Sequence, residues 1–148
     1  TYLLDTNIIL RFSNPSDAQH HLVTNAVATL LEQGDECILA PQVLIEMWVV
    51  ATRPTDVNGL GWSTIYTRNM IQQLMNRFPF VEETPQIFSN WLNIVSQNQI
   101  VGKKTHDARI IAVMRSAKIN HILTLNPKDF TNIPDLIVVH PSELVSNQ

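Results

Sequence analysis

The chain has 148 residues, of which 45% are hydrophobic and 16% charged, and its formal net charge is −3. This length and composition predict one globular domain over residues 1–148, large enough to fold without a disulfide or a structural metal. The negative charge excludes a general attraction to nucleic acids, so a polyanion would need a local group of basic residues or a bound cation. The single cysteine, Cys37, excludes an internal disulfide and is typical of a reducing compartment.

The apolar runs and the first residues predict a cytoplasmic protein with no membrane partner. The first residues lack the basic flank and the small-residue cleavage site of a signal peptide. The longest apolar run follows Pro41 and is interrupted by Glu46, so it does not resemble a membrane-spanning segment.

The first ten residues, TYLLDTNIIL, join an apolar segment to Asp5, Thr6 and Asn7. The apolar residues before Asp5 are typical of a strand buried on both faces, which places Asp5 at its carboxyl end. Ligands of open α/β sheets bind at this edge, where a carboxylate could reach both solvent and a metal ion. The alternative interpretation is that Asp5 only caps the following helix.

The rest of the chain alternates between helical and strand periodicity, with turn residues between the segments. One amphipathic helix is predicted in the segment between Asn7 and Gly34, with its apolar repeat over 22–31. The other predicted helices cover 41–50, 62–77, 85–96 and a segment that Thr105 could cap. The other predicted strands are 37–40, 78–81, 121–125 and 136–139, with Pro79 marking an edge strand and 51–61 the longest loop.

This order predicts an α/β fold, a three-layer α/β/α sandwich around a mostly parallel, roughly five-stranded sheet. The carboxyl ends of parallel strands share one edge of a sheet. Asp5 and Asn126 both follow strands, so we expect them at that edge, and Asp107 joins them if its helix begins there.

Two further acids are candidates for a metal site. Glu46 lies in a helix that is apolar over most of its circumference, and burial of an unpaired carboxylate costs several kcal/mol unless a cation compensates it. A cation shared by Asp5, Glu46 and Asp107 would do so, and an all-oxygen ligand set suits Mg²⁺ or Mn²⁺. The alternatives are that Glu46 is a surface residue or pairs with Arg53, and that Asp107 only stabilises the helix dipole.

Four motifs in this order resemble the PIN-domain family over essentially the whole chain: LLDTNIIL, PQVLIEMW, THDARIIAV, and ILTLNPKDF followed by IPDLIVVHP. Within the family the chain is most similar to short bacterial toxins of the VapC type. These are metal-dependent endoribonucleases that a cognate antitoxin neutralises. The resemblance implies an RNA substrate, an antitoxin partner and a homodimer.

The resemblance also implies an acidic metal site formed by Asp5, Glu46 and Asp107, with the hydroxyl of Thr6 supporting it. The fourth position of the family's site is often acidic, whereas this chain has Asn126, a weak ligand that lowers the charge of the site by one. Asp129 is the nearest acid, and it could instead hold the turn through backbone hydrogen bonds.

Basic residues near the predicted acids could contact the phosphates of RNA without reading its bases. The candidates are Arg11, Arg53, Lys103, Lys104, Arg109 and Arg115. Trp48 and Trp62 could stack on bases, but their helical positions favour packing. His106 has no second histidine at a zinc-like spacing and is interpreted as an exposed side chain.

Three other functions remain open. A phosphohydrolase of the haloacid-dehalogenase type also begins with a strand ending in Asp, but it requires a second Asp where this chain has Asn7. An RNA-processing PIN nuclease outside a toxin pair would use the same acids. A catalytically weak PIN-like module that binds RNA or protein is kept open by Asn126.

Overall fold

The computed structural model describes residues 1–131 and 133–145. They form an α/β fold with a four-stranded sheet in the order β2-β1-β3-β4, and every strand pair is parallel. The strands are β1 Tyr2–Leu4, β2 Cys37–Ile38, β3 His121–Leu123 and β4 Ile137–Val139. The helices are α1 Thr6–Phe12, α2 His20–Glu32, α3 Pro41–Thr52, α4 Thr64–Arg77, α5 Gln86–Gln97 and α6 Lys104–Ser116. Within the described ranges, none of the helices has the length and apolar character needed to cross a membrane.

The two central strands are covered on both faces. Successive residues of a strand point to opposite faces of its sheet, and Leu3 and Leu4 of β1 are both fully buried. Ile122 and Leu123 of β3 are fully buried in the same way. Apolar residues therefore occupy both faces of the sheet, which explains why these strands read as continuous apolar runs rather than as an alternating pattern.

The carboxyl ends of β1 and β3 bring two distant polar segments side by side. In the register of these strands Leu4 pairs with Leu123, so Asp5 and Thr124 follow at the same edge of the sheet. The amide of Asp5 donates to the carbonyl of Leu123 at 3.1 Å, which fixes this junction. The predicted position of Asp5 at the carboxyl edge is therefore confirmed.

The single helix predicted between Asn7 and Gly34 is wrong, because this segment contains two helices. The chain becomes helical directly after Asp5, stops after Phe12, and resumes at His20. The intervening residues include Asn14 and Pro15, which favour turns, and the amide of Asp17 donates to the carbonyl of Asn14 at 3.0 Å. Local turn chemistry thus outweighs the apolar periodicity on either side.

The strand predicted over 78–81 is reduced to one parallel bridge between Leu39 and Phe80, so the sheet has four strands and not five. Leu39 donates to the carbonyl of Pro79 at 2.9 Å and accepts from the amide of Val81 at 2.8 Å. Pro79 has no N–H to extend this pairing. The predicted edge position is nevertheless correct, since the bridge extends the sheet beyond β2.

Two helix boundaries also differ from the prediction. α6 begins one residue before Thr105, with Lys103 as its N-cap, and the hydroxyl of Thr105 donates to the carbonyl of Gly102 at 2.7 Å instead of capping the helix. α3 continues to Thr52, into the predicted loop. Asp107 lies in the first turn of α6, as predicted.

Replacing Leu3 by alanine should lower the free energy of unfolding by about 2–5 kcal/mol, because the side chain is fully buried in the central strand and the cavity cannot refill. Urea unfolding followed by circular dichroism measures this change. Leu31→Ala is the matched control, since Leu31 is 44% exposed and its loss should cost much less. Equal losses in the two variants would contradict the assignment of β1 to the core.

Candidate metal centre

Asp5 is a buried carboxylate at the carboxyl end of β1, with only 6% of its surface exposed. Its Oδ1 accepts from the amide of Thr6 at 2.8 Å, and its Oδ2 accepts from the hydroxyl of Thr124 at 2.8 Å and from Nδ2 of Asn7 at 3.4 Å. The pKa of Asp5 is raised to about 6, mainly by burial. The hydrogen bonds from Thr124 and Thr6 lower this pKa, and the negative charges of Glu46 and Asp129 raise it by smaller amounts. Asp5 therefore caps α1 and is also a buried acid whose charge lacks a cation.

Glu46 is half-buried on α3 and is held by two side chains. Its Oε2 accepts from the hydroxyl of Thr6 at 2.7 Å, and its Oε1 accepts from Nε2 of Gln42 at 3.0 Å. Gln42 also donates to the carbonyl of His106 at 2.8 Å, so it ties α3 to the first turn of α6. The alternative pairing of Glu46 with Arg53 does not occur, because the Arg53 guanidinium donates to the carbonyl of Asn58.

Asp107 is half-buried at the start of α6, and its pKa is raised to about 7. Burial is the largest cause, followed by repulsion from Asp129, Asp5 and Glu46, while Lys104 lowers the pKa. All three other acids are therefore close enough to Asp107 to disfavour its charged form. At neutral pH Asp107 is divided between its protonated and its charged form.

The four acids are electrostatically coupled, but they do not form a closed ligand set. Across residues 1–131 and 133–145, no group of three or more Asp, Glu, His or Cys side chains is arranged to hold a metal ion. The donor chemistry nevertheless fits a hard divalent cation, because the set is all carboxylate and two of its members have raised pKa values that a cation would lower. For several of these carboxylates to bind the same ion, their side chains would have to move closer together.

Asn126 and Asp129 occupy the 3₁₀ turn Pro127–Phe130 and the residue before it. Asn126 is exposed, and its amide donates to the hydroxyl of Thr124 at 3.1 Å. The Asp129 carboxylate is the charged group with the largest effect on the pKa of Asp107. It therefore contributes negative charge to the group of four carboxylates, Asp5, Glu46, Asp107 and Asp129, which we call the acidic edge. The turn itself is closed by a hydrogen bond from the Asp129 amide to the carbonyl of Asn126.

Comparison with known protein families gives one match over nearly the whole chain. The family model of the PIN domain matches residues 2–136. The chain belongs to the PIN-domain family. This confirms the resemblance drawn from the four sequence motifs.

Solved structures with this fold include two toxin–antitoxin assemblies. VapBC2 of Rickettsia felis, bound to promoter DNA, has a TM-score of 0.68 at 18% identity over 94% of this chain and 97% of its own. A toxin–antitoxin complex from Klebsiella pneumoniae has a TM-score of 0.65 at 20% identity, covering 95% and 98%. VapC20 of Mycobacterium tuberculosis, described as a sarcin–ricin loop cleaving toxin, has a TM-score of 0.53 at 18% identity, covering 82% and 87%. Comparison with curated proteins gave no match.

Three polar residues of this PIN-domain site were not predicted from the sequence. Thr124 is fully buried and donates to Asp5, and Gln42 positions Glu46. The side-chain oxygen of Asn7 accepts from the amide of Leu125 at 3.0 Å, which ties α1 to the end of β3. Thr124 directly follows the apolar run of β3, and Gln42 lies one turn before Glu46 on the same helix. These positions in the sequence could have identified both residues as neighbours of the predicted acids.

The predicted basic residues have different surroundings. Arg109 pairs with Glu83 at 2.9 Å and donates to Gln42 at 3.1 Å, and Arg11 lies 3.7 Å from Asp17, so both arginines have acidic protein partners. Lys103 and Lys104 are exposed at the start of α6, on the same side as Asp107. Of the predicted basic residues, these two lysines are therefore the best placed to contact a phosphate.

Arg115, one of the six basic candidates, lies away from the acids. It donates to the carbonyl of Pro134 at 3.5 Å and lines a cavity with Asn120 and Leu136, the residues that precede β3 and β4. This is the amino-terminal edge of the parallel sheet, opposite to Asp5. Spacing along α6 alone could not reveal this, because the helix extends from one edge of the sheet to the other.

His106 and Trp62 confirm the structural interpretations. The His106 side chain is exposed, and its carbonyl is what contacts the site. Trp62 is half-buried and packs edge-on against Tyr66, with ring centroids 4.9 Å apart. Trp48 is 36% exposed on α3, so its predicted packing is not confirmed within this chain.

Without metal, Asp5→Asn should stabilise the protein at pH 8 by about 1–3 kcal/mol and have little effect near pH 4. The folded pKa of about 6 exceeds the reference value of 3.8, so the folded state binds the proton more tightly and loses stability as the pH rises through this window. Urea unfolding in chelator at both pH values measures the difference. The exposed Asp56→Asn is the matched control, and a destabilised Asp5→Asn protein at pH 8 would contradict the electrostatic assignment.

Proposed function

We propose that this PIN domain is a divalent-metal-dependent endoribonuclease that hydrolyses RNA phosphodiester bonds. The observation that carries the proposal is the acidic edge, where Asp5 and Asp107 have pKa values of about 6 and about 7 because burial and neighbouring acids oppose their charge. Side chains with this character lower the stability of the protein unless a cation binds them. The described function of VapC20 as an RNA-loop cleaving toxin, on the same fold, supports this choice of substrate.

Asp5 and Asp107 are the proposed direct ligands of Mg²⁺ or Mn²⁺, with Asn126 as a weak neutral ligand. When bound, the ion would supply positive charge that polarises a phosphodiester oxygen and would lower the pKa of a coordinated water. Glu46 is the proposed group that orients the attacking water or binds the ion through water, and hydrogen bonds from Thr6 and Gln42 hold its carboxylate in place. Attack in line with the leaving 3′ oxygen would yield a 5′ phosphate and a 3′ hydroxyl.

Lys104 and Lys103 would balance the negative charge of the substrate. Lys104 already lowers the pKa of Asp107, so it is close enough for its ammonium group to act on the acidic edge. A phosphate bound beside it would be positioned without base recognition. The net charge of −3 therefore does not oppose RNA binding at this edge, because these lysines and the cation act locally.

We also propose that the chain is the toxin of a toxin–antitoxin pair, cytoplasmic and homodimeric. The solved structures of the same fold from Rickettsia felis and Klebsiella pneumoniae are toxin–antitoxin assemblies, and that from Haemophilus influenzae is VapBC-1. The alternative of an RNA-processing nuclease uses the same acids without an antitoxin. The alternative of a binding module is favoured by Asn126 and by the lack of a closed ligand set in the described residues.

Asp5→Asn and Asp107→Asn should each lower the rate of RNA cleavage by more than about 100-fold, because groups that only support a metal ligand contribute about 10–100-fold. The measurement is the cleavage of end-labelled single-stranded RNA with Mn²⁺ or Mg²⁺ and with chelator. Circular dichroism spectra like that of the wild type would show that the fold is intact.

The control for this experiment is Asp56→Asn, an exposed acid in the 3₁₀ turn Thr55–Val57, which should cleave at the wild-type rate. Cleavage that survives both chelator and the two substitutions would contradict the metal-centre mechanism. Metal binding without cleavage of any RNA by the wild type would favour the binding module.

The toxin assignment predicts that induced expression of the chain stops bacterial growth, whereas expression of Asp5→Asn does not. The physical reason is that loss of the buried carboxylate removes cleavage while the fold persists. Growth curves after induction, with protein levels matched by immunoblot, measure the effect. If both proteins stopped growth, the arrest would not depend on cleavage by the acidic site, and the toxin proposal would be contradicted.

A further inference from the structure

A cavity of about 310 Å³ lies directly beside the acidic edge. Its walls are the segment after α5, the first half of α6, and the chain around the 3₁₀ turn Pro127–Phe130. Asp129 and Lys104 line it, and these are the two charged groups that act on Asp107 from opposite directions, one raising and one lowering its pKa. The cavity is therefore adjacent to the candidate metal centre, and Asp129 belongs to both.

The cavity has an apolar floor and a polar rim. Ala108 and Ile111 are 1% and 2% exposed and form part of the floor, together with Ile100 and Ile133. Asn98 and Thr131 contribute polar groups to the walls. A flat heteroaromatic ring needs this combination, with apolar contact on its faces and hydrogen-bonding groups at its edge.

The charged groups that line the cavity offer both kinds of hydrogen-bonding partner, since Lys104 only donates and the Asp129 carboxylate only accepts. Nδ2 of Asn98 donates one of its two hydrogens to the carbonyl of Ile94 at 2.9 Å, and the side-chain oxygen of Asn98 can accept from a ligand. A carboxylate such as that of Asp129 can accept two adjacent N–H bonds at once. Guanine presents adjacent N–H donors on its Watson–Crick edge, at N1 and N2, and it therefore complements this carboxylate better than the other bases do.

From this cavity we infer that the protein binds one unpaired guanine of its RNA substrate beside the acidic edge, with Lys104 next to the phosphate of that nucleotide. The inference rests on the proposed RNA cleavage and adds base recognition to it. Phosphate contacts alone carry no sequence information, so the cavity would give the enzyme its preference for cleavage near guanine. The base must be unstacked to enter, which restricts cleavage to single strands and loops.

The test compares three variants that leave the four acids unchanged. Thr131→Trp places a large ring at the rim and should fill the cavity, because Thr131 is exposed and lines it. Asn98→Ala removes the acceptor oxygen, while the Asn98 amide keeps its own hydrogen bond to the carbonyl of Ile94. Thr64→Trp is the matched control, an exposed threonine at the start of α4 that does not line this cavity.

The first measurement is the base distribution around cleaved bonds in a random-sequence RNA pool. Wild type and Thr64→Trp should show guanine enriched at one position next to the cut. Thr131→Trp and Asn98→Ala should reduce that enrichment about tenfold. Replacing guanosine by inosine in one cleaved oligonucleotide removes the 2-amino donors and should reduce wild-type cleavage but not cleavage by Asn98→Ala.

The second measurement does not depend on cleavage. Saturable binding of guanosine 5′-monophosphate to Asp5→Asn protein, measured by NMR titration, should be lost on adding Thr131→Trp and should be weaker for inosine 5′-monophosphate. Cleavage with an unchanged base profile in Thr131→Trp would overturn the guanine site and leave the nuclease proposal standing. Guanosine monophosphate binding without cleavage of any RNA would support the site and overturn the nuclease proposal, and neither binding nor cleavage would overturn both.

Discussion

The buried carboxylate of Asp5 is the constraint on which the rest of the site depends. It lies at the carboxyl end of the central strand, where the hydroxyl of Thr124 and the amide of Thr6 hold its two oxygens at 2.8 Å each. These bonds favour the charged form, yet burial outweighs them and the pKa still rises to about 6. An apolar residue here would avoid this cost, so the carboxylate lowers stability in the absence of a cation, as is common for functional residues.

A chain of polar contacts connects Asp5 to the surface across three helices. Thr6 follows Asp5 and donates to Glu46, Gln42 donates to Glu46, and Arg109 donates to Gln42. Arg109 ends the chain by pairing with Glu83 at 2.9 Å. Because Glu46, Gln42 and Arg109 each have at least two partners, each side chain is held more tightly than a single bond would allow. This explains how a basic residue that sequence spacing assigns to substrate can instead position an acid.

Much of the fold could be predicted because β1 and β3 are buried on both faces and are therefore visible in the sequence as continuous apolar runs. The acids Asp5 and Asp107 could be placed for a related reason, since each follows an element boundary that capping and turn residues mark. The break at Asn14 and Pro15 was missed because apolar periodicity continued beyond it. The role of Thr124, and the contact of Gln42 with the carbonyl of His106, depend on pairs that are far apart in sequence but adjacent in the fold, and periodicity within one segment does not contain that information.

The four acids differ in how firmly the protein holds them, which bears on how they could converge on one metal ion. Asp5 and Glu46 are fixed, because hydrogen bonds hold both oxygens of each. Asp107 is half-buried and Asp129 exposed, and repulsion between them raises the pKa of Asp107, so the two favour separation until a cation binds. A divalent ion between them would offset that repulsion, because it attracts both carboxylates. With Asn126 in place of an acid, Asp129 restores one negative charge from three residues further along the same turn, which keeps four carboxylates around the proposed centre.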